Sequence, residues 1–112
     1  RKLPASERGT LAKGMKFGDT RFDDVFSGLA LDGDWHRASI VDPTSGRRLR
    51  IEFDRAFREC VVYNPPHREA ICIEPYTCVP GAIALAERGI DAGLRVLEAG
   101  EKLVARVSIG VD

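Results

Sequence analysis

The chain has 112 residues, 44% of them hydrophobic, and its 17 basic side chains balance its 17 acidic ones. That length suffices for one hydrophobic core but not for two, so we expect one domain or part of one. Balanced charge without a basic stripe argues against a nucleic-acid partner. No signal peptide is visible, and the longest charge-free apolar stretch, residues 75–86, is too short to cross a bilayer.

The opening segment, residues 1–18, differs in character from the rest of the chain. It contains one proline and three glycines with little periodicity, which predicts an irregular lead-in. From residue 19 to residue 112 the pattern becomes a series of short strands separated by turns. We therefore predict a single β-rich unit over residues 19–112.

The first half of that unit contains three extended segments. A mixed apolar segment at 22–31 ends at the hairpin signal Asp32-Gly33. Residues 35–41 resume an extended pattern, and a proline- and glycine-containing turn follows at 42–46. Residues 48–54 then alternate strictly between apolar and polar side chains, which is typical of an antiparallel strand with one solvated face.

Three arginines, Arg47, Arg48 and Arg50, form the nearest approach to a basic cluster. Arg48 and Arg50 share one face of the strand predicted at 48–54. We interpret them as a solvated strand face rather than as a phosphate-binding patch.

The second half supplies further strands and a single short helix. Strands are predicted at 60–63 and 70–74, and the clearest alternation of all covers 103–111. Residues 81–88 have helical composition, and Gly89 follows where a C-terminal cap is expected. Six or seven short strands with regular turn signals predict an all-β fold, an antiparallel β-sandwich.

Cysteine usage bears on compartment and on metals. The three cysteines, Cys60, Cys72 and Cys78, are an odd number with no metal-ligand spacing, and two lie in apolar runs. This pattern indicates free thiols in a reducing compartment, so we expect a cytoplasmic protein without disulfides or a metal site.

Glu74 is the leading catalytic candidate. It ends the apolar run 70–74 and precedes Pro75, so we expect it at the terminus of a buried strand. Burial disfavours a charged carboxylate and favours its use as a general base. A carboxylate in such a place also serves structurally, by accepting backbone hydrogen bonds at a turn.

Five segments, in order, resemble the C-terminal part of an aldose 1-epimerase of the galactose mutarotase-like superfamily. The family elements are an Asp-His-Asn-Phe segment, the strand before the catalytic one, the stretch ending in the catalytic glutamate, a Pro-Asp-Ala element and a Pro-Gly-Glu turn. The matching segments here are residues 23–26, 62–65, 71–74, 80–83 and 99–101. Departures are Val61, Gly81, Ala84 and Ala99, which stand where relatives carry glutamine, aspartate, asparagine and proline.

The resemblance implies a reaction and roles for two residues. Glu74 would take the proton from the anomeric hydroxyl of a hexose, and Asp23 would bind a sugar hydroxyl. Tyr76 lies outside the matched segments; it would line the pocket, as aromatic rings near sugar sites commonly do, or pack as an ordinary core residue. An acid would protonate the ring oxygen, the ring would open, and reclosure would give the other anomer. The family needs neither a metal nor an organic cofactor.

The resemblance also implies a missing part. The family's general acid is a histidine from the N-terminal half of a supersandwich about twice this size. Neither His36 nor His67 matches it, and we expect both to face solvent. We therefore expect this chain to be the C-terminal portion of the sandwich, inactive alone, with an N-terminal half or second polypeptide covering its exposed apolar surface.

Other functions remain open at this point. One is epimerisation of a hexose phosphate, for which only Arg68 and Arg88 lie close to Glu74 in sequence. Another is a non-catalytic carbohydrate-binding β-sandwich that uses Trp35, Tyr63 and Tyr76 as stacking surfaces. A glycoside hydrolase with Asp23 and Glu74 as a carboxylate pair is a further alternative.

Overall fold

The computed structural model describes residues 12–112, which form an all-β fold of two antiparallel sheets. This confirms the predicted fold class. Residues 1–11 of the predicted lead-in lie outside the described residues. Sheet 1 has the order β1-β4-β5 and sheet 2 the order β2-β3-β6. The strands are β1 (Asp23–Phe26), β2 (Trp35–Val41), β3 (Arg48–Asp54), β4 (Glu59–Tyr63), β5 (Cys72–Tyr76) and β6 (Val107–Val111).

The β2–β3 hairpin and the helix over Ala82–Glu87 lie where the sequence predicts them. The hairpin turn is closed by the Gly46 N–H, which donates to the Asp42 carbonyl at 2.8 Å, and Gly46 takes the positive φ of 73°. Helix α1 (Ala82–Glu87) has Arg88 as its C-cap, and Gly89 follows with a φ of 75°. Because glycine adopts this left-handed conformation without strain, it terminates the helix as expected.

Several strand boundaries differ from the prediction, and two of these differences have a clear physical cause. Strand β5 does not stop before Pro75 but continues through it to Tyr76, so Glu74 is a mid-strand residue. The reason is that β5 lies at the edge of sheet 1, where a missing backbone N–H need not interrupt a ladder. Strand β6 begins at Val107 rather than at residue 103, because its partner β3 ends at Asp54, opposite residue 106.

The hydrophobic core lies where β3 of sheet 2 packs against β4 of sheet 1. Its buried members are Ile51, Phe53 and Cys60. The Phe57 ring meets the Phe53 ring edge-on, with 5.9 Å between ring centroids. Partly buried side chains that pack around this cluster are Leu29, Leu49, Phe57, Val62 and Ile73.

Asn64 fastens the segment before β1 to the end of β4. Its side chain is 2% exposed, and its Oδ1 accepts the Phe22 N–H at 2.7 Å. Its Nδ2 donates to the carbonyls of Phe17 at 2.9 Å and Thr20 at 2.7 Å. One amide therefore satisfies three backbone groups, which aligns β1 beside β4.

Replacing Asn64 with alanine should lower the free energy of unfolding by about 3 kcal/mol, because an unsatisfied buried polar group costs about 1–3 kcal/mol. Urea unfolding followed by circular dichroism measures the change. Asn64→Asp keeps the acceptor and loses both donors, so it should be destabilised as well. A loss below about 0.5 kcal/mol for alanine would show that these bonds do not hold β1 in place.

Cys60 gives the fold a defined alkaline limit. Burial raises the pKa of its thiol to about 11 from an ordinary value of 9.0. The folded state therefore holds the thiol proton more tightly than the unfolded chain does, so this stabilisation is complete below pH 9 and is lost as pH rises to 11. Cys60→Ala should flatten the fall in unfolding free energy between pH 9 and 11, whereas the exposed Cys72→Ala should not. Equal slopes in urea titrations of both variants would contradict this origin.

Candidate functional site

Each strand of sheet 1 presents alternate residues to two different faces. Cys60, Val62 and Ile73 point into the core, so their sequence neighbours point to the other face. We call this other face the site face. In register order its rows are Val25, Val61 and Glu74, then Asp23, Tyr63 and Cys72, then Glu59 and Tyr76.

Glu74 lies partly buried on the site face, two residues from Tyr76 on the same strand. The Tyr76 hydroxyl donates to Glu74 Oε2 at 3.1 Å. This hydrogen bond to the carboxylate raises the pKa of Tyr76. Within residues 12–112 no ion pair to Glu74 is present, so the tyrosine is its defined polar partner. The structure thus brings two of the three predicted site residues into direct contact.

Asp23, the third predicted residue, opens β1 on the far side of the same face and is exposed. It lies opposite Tyr63 of β4, while Glu74 lies opposite Val61. Two strand spacings and a two-residue offset separate the Cα atoms of Asp23 and Glu74 by roughly 12 Å. The two carboxylates therefore share a face but do not touch, with Val61 and the Tyr63 ring between them.

Glu59 is a site-face residue that is not among those predicted from the sequence. It is 4% exposed, and its Oε2 has no hydrogen-bond partner among the described residues. Arg58 Nε lies 3.9 Å from its Oε1, but the Arg58 guanidinium is bonded to Asp91 at 2.7 Å. Glu59 faces Tyr76 across β4 and β5, which puts its Cα about 7–8 Å from that of Glu74. The sequence feature that could have indicated Glu59 is its position as a charged residue directly before the apolar run 60–63.

The two histidines have different environments, and one expectation is wrong. His67 is exposed, as predicted, and its Nδ1 accepts the Glu69 N–H at 3.0 Å. His36 is buried rather than solvent-facing: its Nδ1 donates to the Ala30 carbonyl at 2.8 Å. Its ring also lies 5.3 Å from that of Phe53, because it is paired with Phe53 across β2 and β3. His36 is thus part of sheet 2, away from Glu74.

Two shallow surface cavities, of about 390 and 380 Å³, lie elsewhere. One lies against the polar face of sheet 2, and the other lies near Asp54 and Arg106. Neither contains Glu74, Asp23 or Tyr76. The site face of sheet 1 therefore lies outside both of these cavities.

The predicted strand-face arginines Arg48 and Arg50 are exposed, as expected. Arg50 and Arg37, which lies on the neighbouring strand β2, take part in a ladder of ion pairs across sheet 2. Arg37 Nε contacts Glu52 at 2.8 Å, and Arg50 Nε contacts Asp112 at 2.9 Å. Arg50 also lies 3.6 Å from Glu52, which links the two pairs. Arg37 and Arg50 already have carboxylate partners, so these two cations are poorly suited to bind a phosphate group.

In the part of the chain that the structure describes, no three or more His, Cys, Asp or Glu side chains are grouped to hold a metal ion. Over the same residues, every helix is too short or too polar to cross a bilayer. Neither a protein-family model nor a solved structure matches the chain. The resemblance to aldose 1-epimerases therefore stays a prediction from the sequence segments.

Glu59→Gln should raise the free energy of unfolding at pH 7 by about 1–3 kcal/mol, because it removes a buried charge whose nearest cation, Arg58, is shared with Asp91, with almost no change in shape. Urea unfolding measures this. The matched control is Glu69→Gln, since Glu69 is exposed in the β4–β5 loop and should change stability by less than about 0.5 kcal/mol. A destabilised Glu59→Gln would instead show that the Arg58 contact outweighs the cost of burial.

Proposed function

We propose that this chain carries the general-base side of an aldose 1-epimerase site, with Glu74 as the base. The observation that best supports the proposal is the Glu74–Tyr76 pair, which lies on the same sheet face as Asp23. Glu74 and Asp23 are the residues that the family resemblance selects, and they come from β5 and β1, strands that are not neighbours in the sequence. The acid would come from a second polypeptide or from an N-terminal half.

The chemistry requires a carboxylate that is held in place yet free to accept a proton. The Tyr76 hydroxyl fixes one oxygen of Glu74, Oε2, which leaves Oε1 to take the proton of the anomeric hydroxyl. Partial burial limits competition from water for that oxygen. Proton transfer to the ring oxygen then opens the ring, the bond next to the aldehyde carbon rotates, and the reverse steps close it.

Substrate orientation would come from the row next to Glu74. The Tyr63 side chain is exposed and lies opposite Asp23 across β1 and β4. A pyranose ring resting on Tyr63 would place one hydroxyl near Asp23 and its anomeric carbon toward Glu74. This arrangement explains why Asp23 needs to share the face of Glu74 without touching it.

The charges around Glu74 favour a neutral hexose over a hexose phosphate. Arg58, the nearest arginine in the strand register, already pairs with Asp91 at 2.7 Å. Glu59 adds a further carboxylate to the face. Both features disfavour a dianionic phosphate group beside Glu74.

The test uses this chain with imidazole as an external acid in place of the missing histidine. Polarimetry of freshly dissolved α-D-galactose should give a rate with chain and imidazole together that exceeds the sum of their separate effects. Chain alone should match spontaneous mutarotation. Glu74→Gln should remove the excess mutarotation rate, because the amide cannot accept the proton. In an assembly that contains its own acid, the same substitution should lower kcat about 100- to 10,000-fold.

Glu69→Gln is the control, since it removes an exposed carboxylate from the same region and should keep the excess rate. Galactose binding that survives Glu74→Gln, with no excess rate in any variant, would identify a carbohydrate-binding module instead. Absence of both binding and excess rate would overturn a sugar function.

A further inference from the structure

Strand β6 forms an edge of sheet 2, and within residues 12–112 it pairs only with β3. The Asp112 N–H donates to the Arg48 carbonyl at 2.9 Å, and the Asp54 N–H donates to the Arg106 carbonyl at 3.1 Å. Even-numbered residues of β6 therefore direct their backbone groups toward β3. By the antiparallel pattern, the N–H and C=O groups of Val107, Ile109 and Val111 point outward from the sheet edge.

The side chains of those three residues are also uncovered. Val107 is 47%, Ile109 67% and Val111 60% exposed. They lie opposite Phe53, Ile51 and Leu49 of β3, so they continue the apolar face that the core covers. The buried core thus ends at β3. Strand β6 is left with an exposed apolar row and with one edge whose backbone groups are unpaired among the described residues, and such an edge is a template for strand addition.

The charges at the two ends of β6 have opposite sign. At one end, Arg50 donates to both carboxylate oxygens of Asp112, at 2.9 and 3.0 Å, and these bonds lower the pKa of Asp112. At the other end stands Arg106, whose guanidinium forms no ion pair with any described residue. An antiparallel partner strand of the same sequence would bring these ends together.

We infer that β6 pairs antiparallel with β6 of a second copy of this chain, about a two-fold axis at Ile109. Outward backbone groups belong to odd-numbered residues, so only registers that pair odd with odd residues are allowed. With Ile109 opposite itself, Val107 lies opposite Val111 of the second copy, and all three outward-facing residues form hydrogen-bonded pairs.

That register also places Arg106 opposite Asp112 of the second copy, twice by symmetry. Arg106 and Asp112 form a non-hydrogen-bonded pair, in which side chains approach most closely. The ion-pair ladder of sheet 2 would then run across the boundary into the partner. Because the contact is isologous, it closes at two copies and joins two three-stranded sheets into one.

Cysteine cross-linking tests the register directly. In a background with Cys72 and Cys78 changed to serine, Ile109→Cys should form a disulfide-linked dimer on mild oxidation, because the two Cα atoms would lie about 5.5 Å apart. Val107→Cys and Val111→Cys singly should not, since each would face a valine of the second copy. The Val107→Cys/Val111→Cys double variant should cross-link again. Equal cross-linking of the three single variants would overturn the register.

Sedimentation equilibrium of the unmodified chain should give the mass of a dimer. Arg106→Glu should weaken dimerisation roughly 2- to 30-fold, because two attractive pairs become repulsive, while the control Arg55→Glu should not. A monomer at all concentrations up to about 1 mM, or open-ended aggregates, would overturn the inference. Since β6 is in sheet 2 and Glu74 in sheet 1, this result is independent of the polarimetry.

Discussion

The register of β4 between β1 and β5 is the constraint on which the site depends. Side chains alternate between faces, so the register of each strand pair decides which face a residue shares. A one-residue slip between β4 and β5 would put Glu74 on the face of Cys60, and the same slip between β1 and β4 would put Asp23 there. Strand β4 resists such a slip because both of its faces are buried, with Cys60 on one and Val61 on the other. The residues that give β4 its stability are therefore the ones that place the site residues together.

The site face departs from what stability alone would select. Glu59 is buried there without a hydrogen bond to Oε2, close to a second carboxylate. Burying an apolar side chain at that position would cost less free energy than burying the carboxylate does. Val61, two residues further along β4 on the same face, is such an apolar residue. Locally unfavourable groups concentrate where chemistry needs them, so Glu59 strengthens the case that this face, rather than the ion-paired face of sheet 2, is the functional one.

Alternation within a strand could be predicted from sequence, but the ends of the strands could not. Residues 48–54 show their period directly, and β3 has those bounds. The ends of β5 and β6 depend on partners: Pro75 is tolerated because it lies at an edge, and residues 103–105 lack a partner once β3 ends. His36 shows the same limit, since its burial follows from pairing with Phe53, which no local pattern reveals. The direct contact of Glu74 with Tyr76 follows from their i, i+2 spacing, whereas their relation to Asp23 required the sheet order.

The four sheet edges differ in how they discourage further pairing, and this difference distinguishes β6 from the others. Strand β5 carries Pro75, and β1 is four residues long and begins with two aspartates. Strand β2 carries Arg37, held in ion pairs with Asp32 and Glu52. Proline, short length and edge charges are the usual protections of exposed edges. Strand β6 has neither a proline nor a charged residue between Val107 and Val111. The charges that flank it, on Arg106 and Asp112, would complement a second antiparallel copy instead of repelling it.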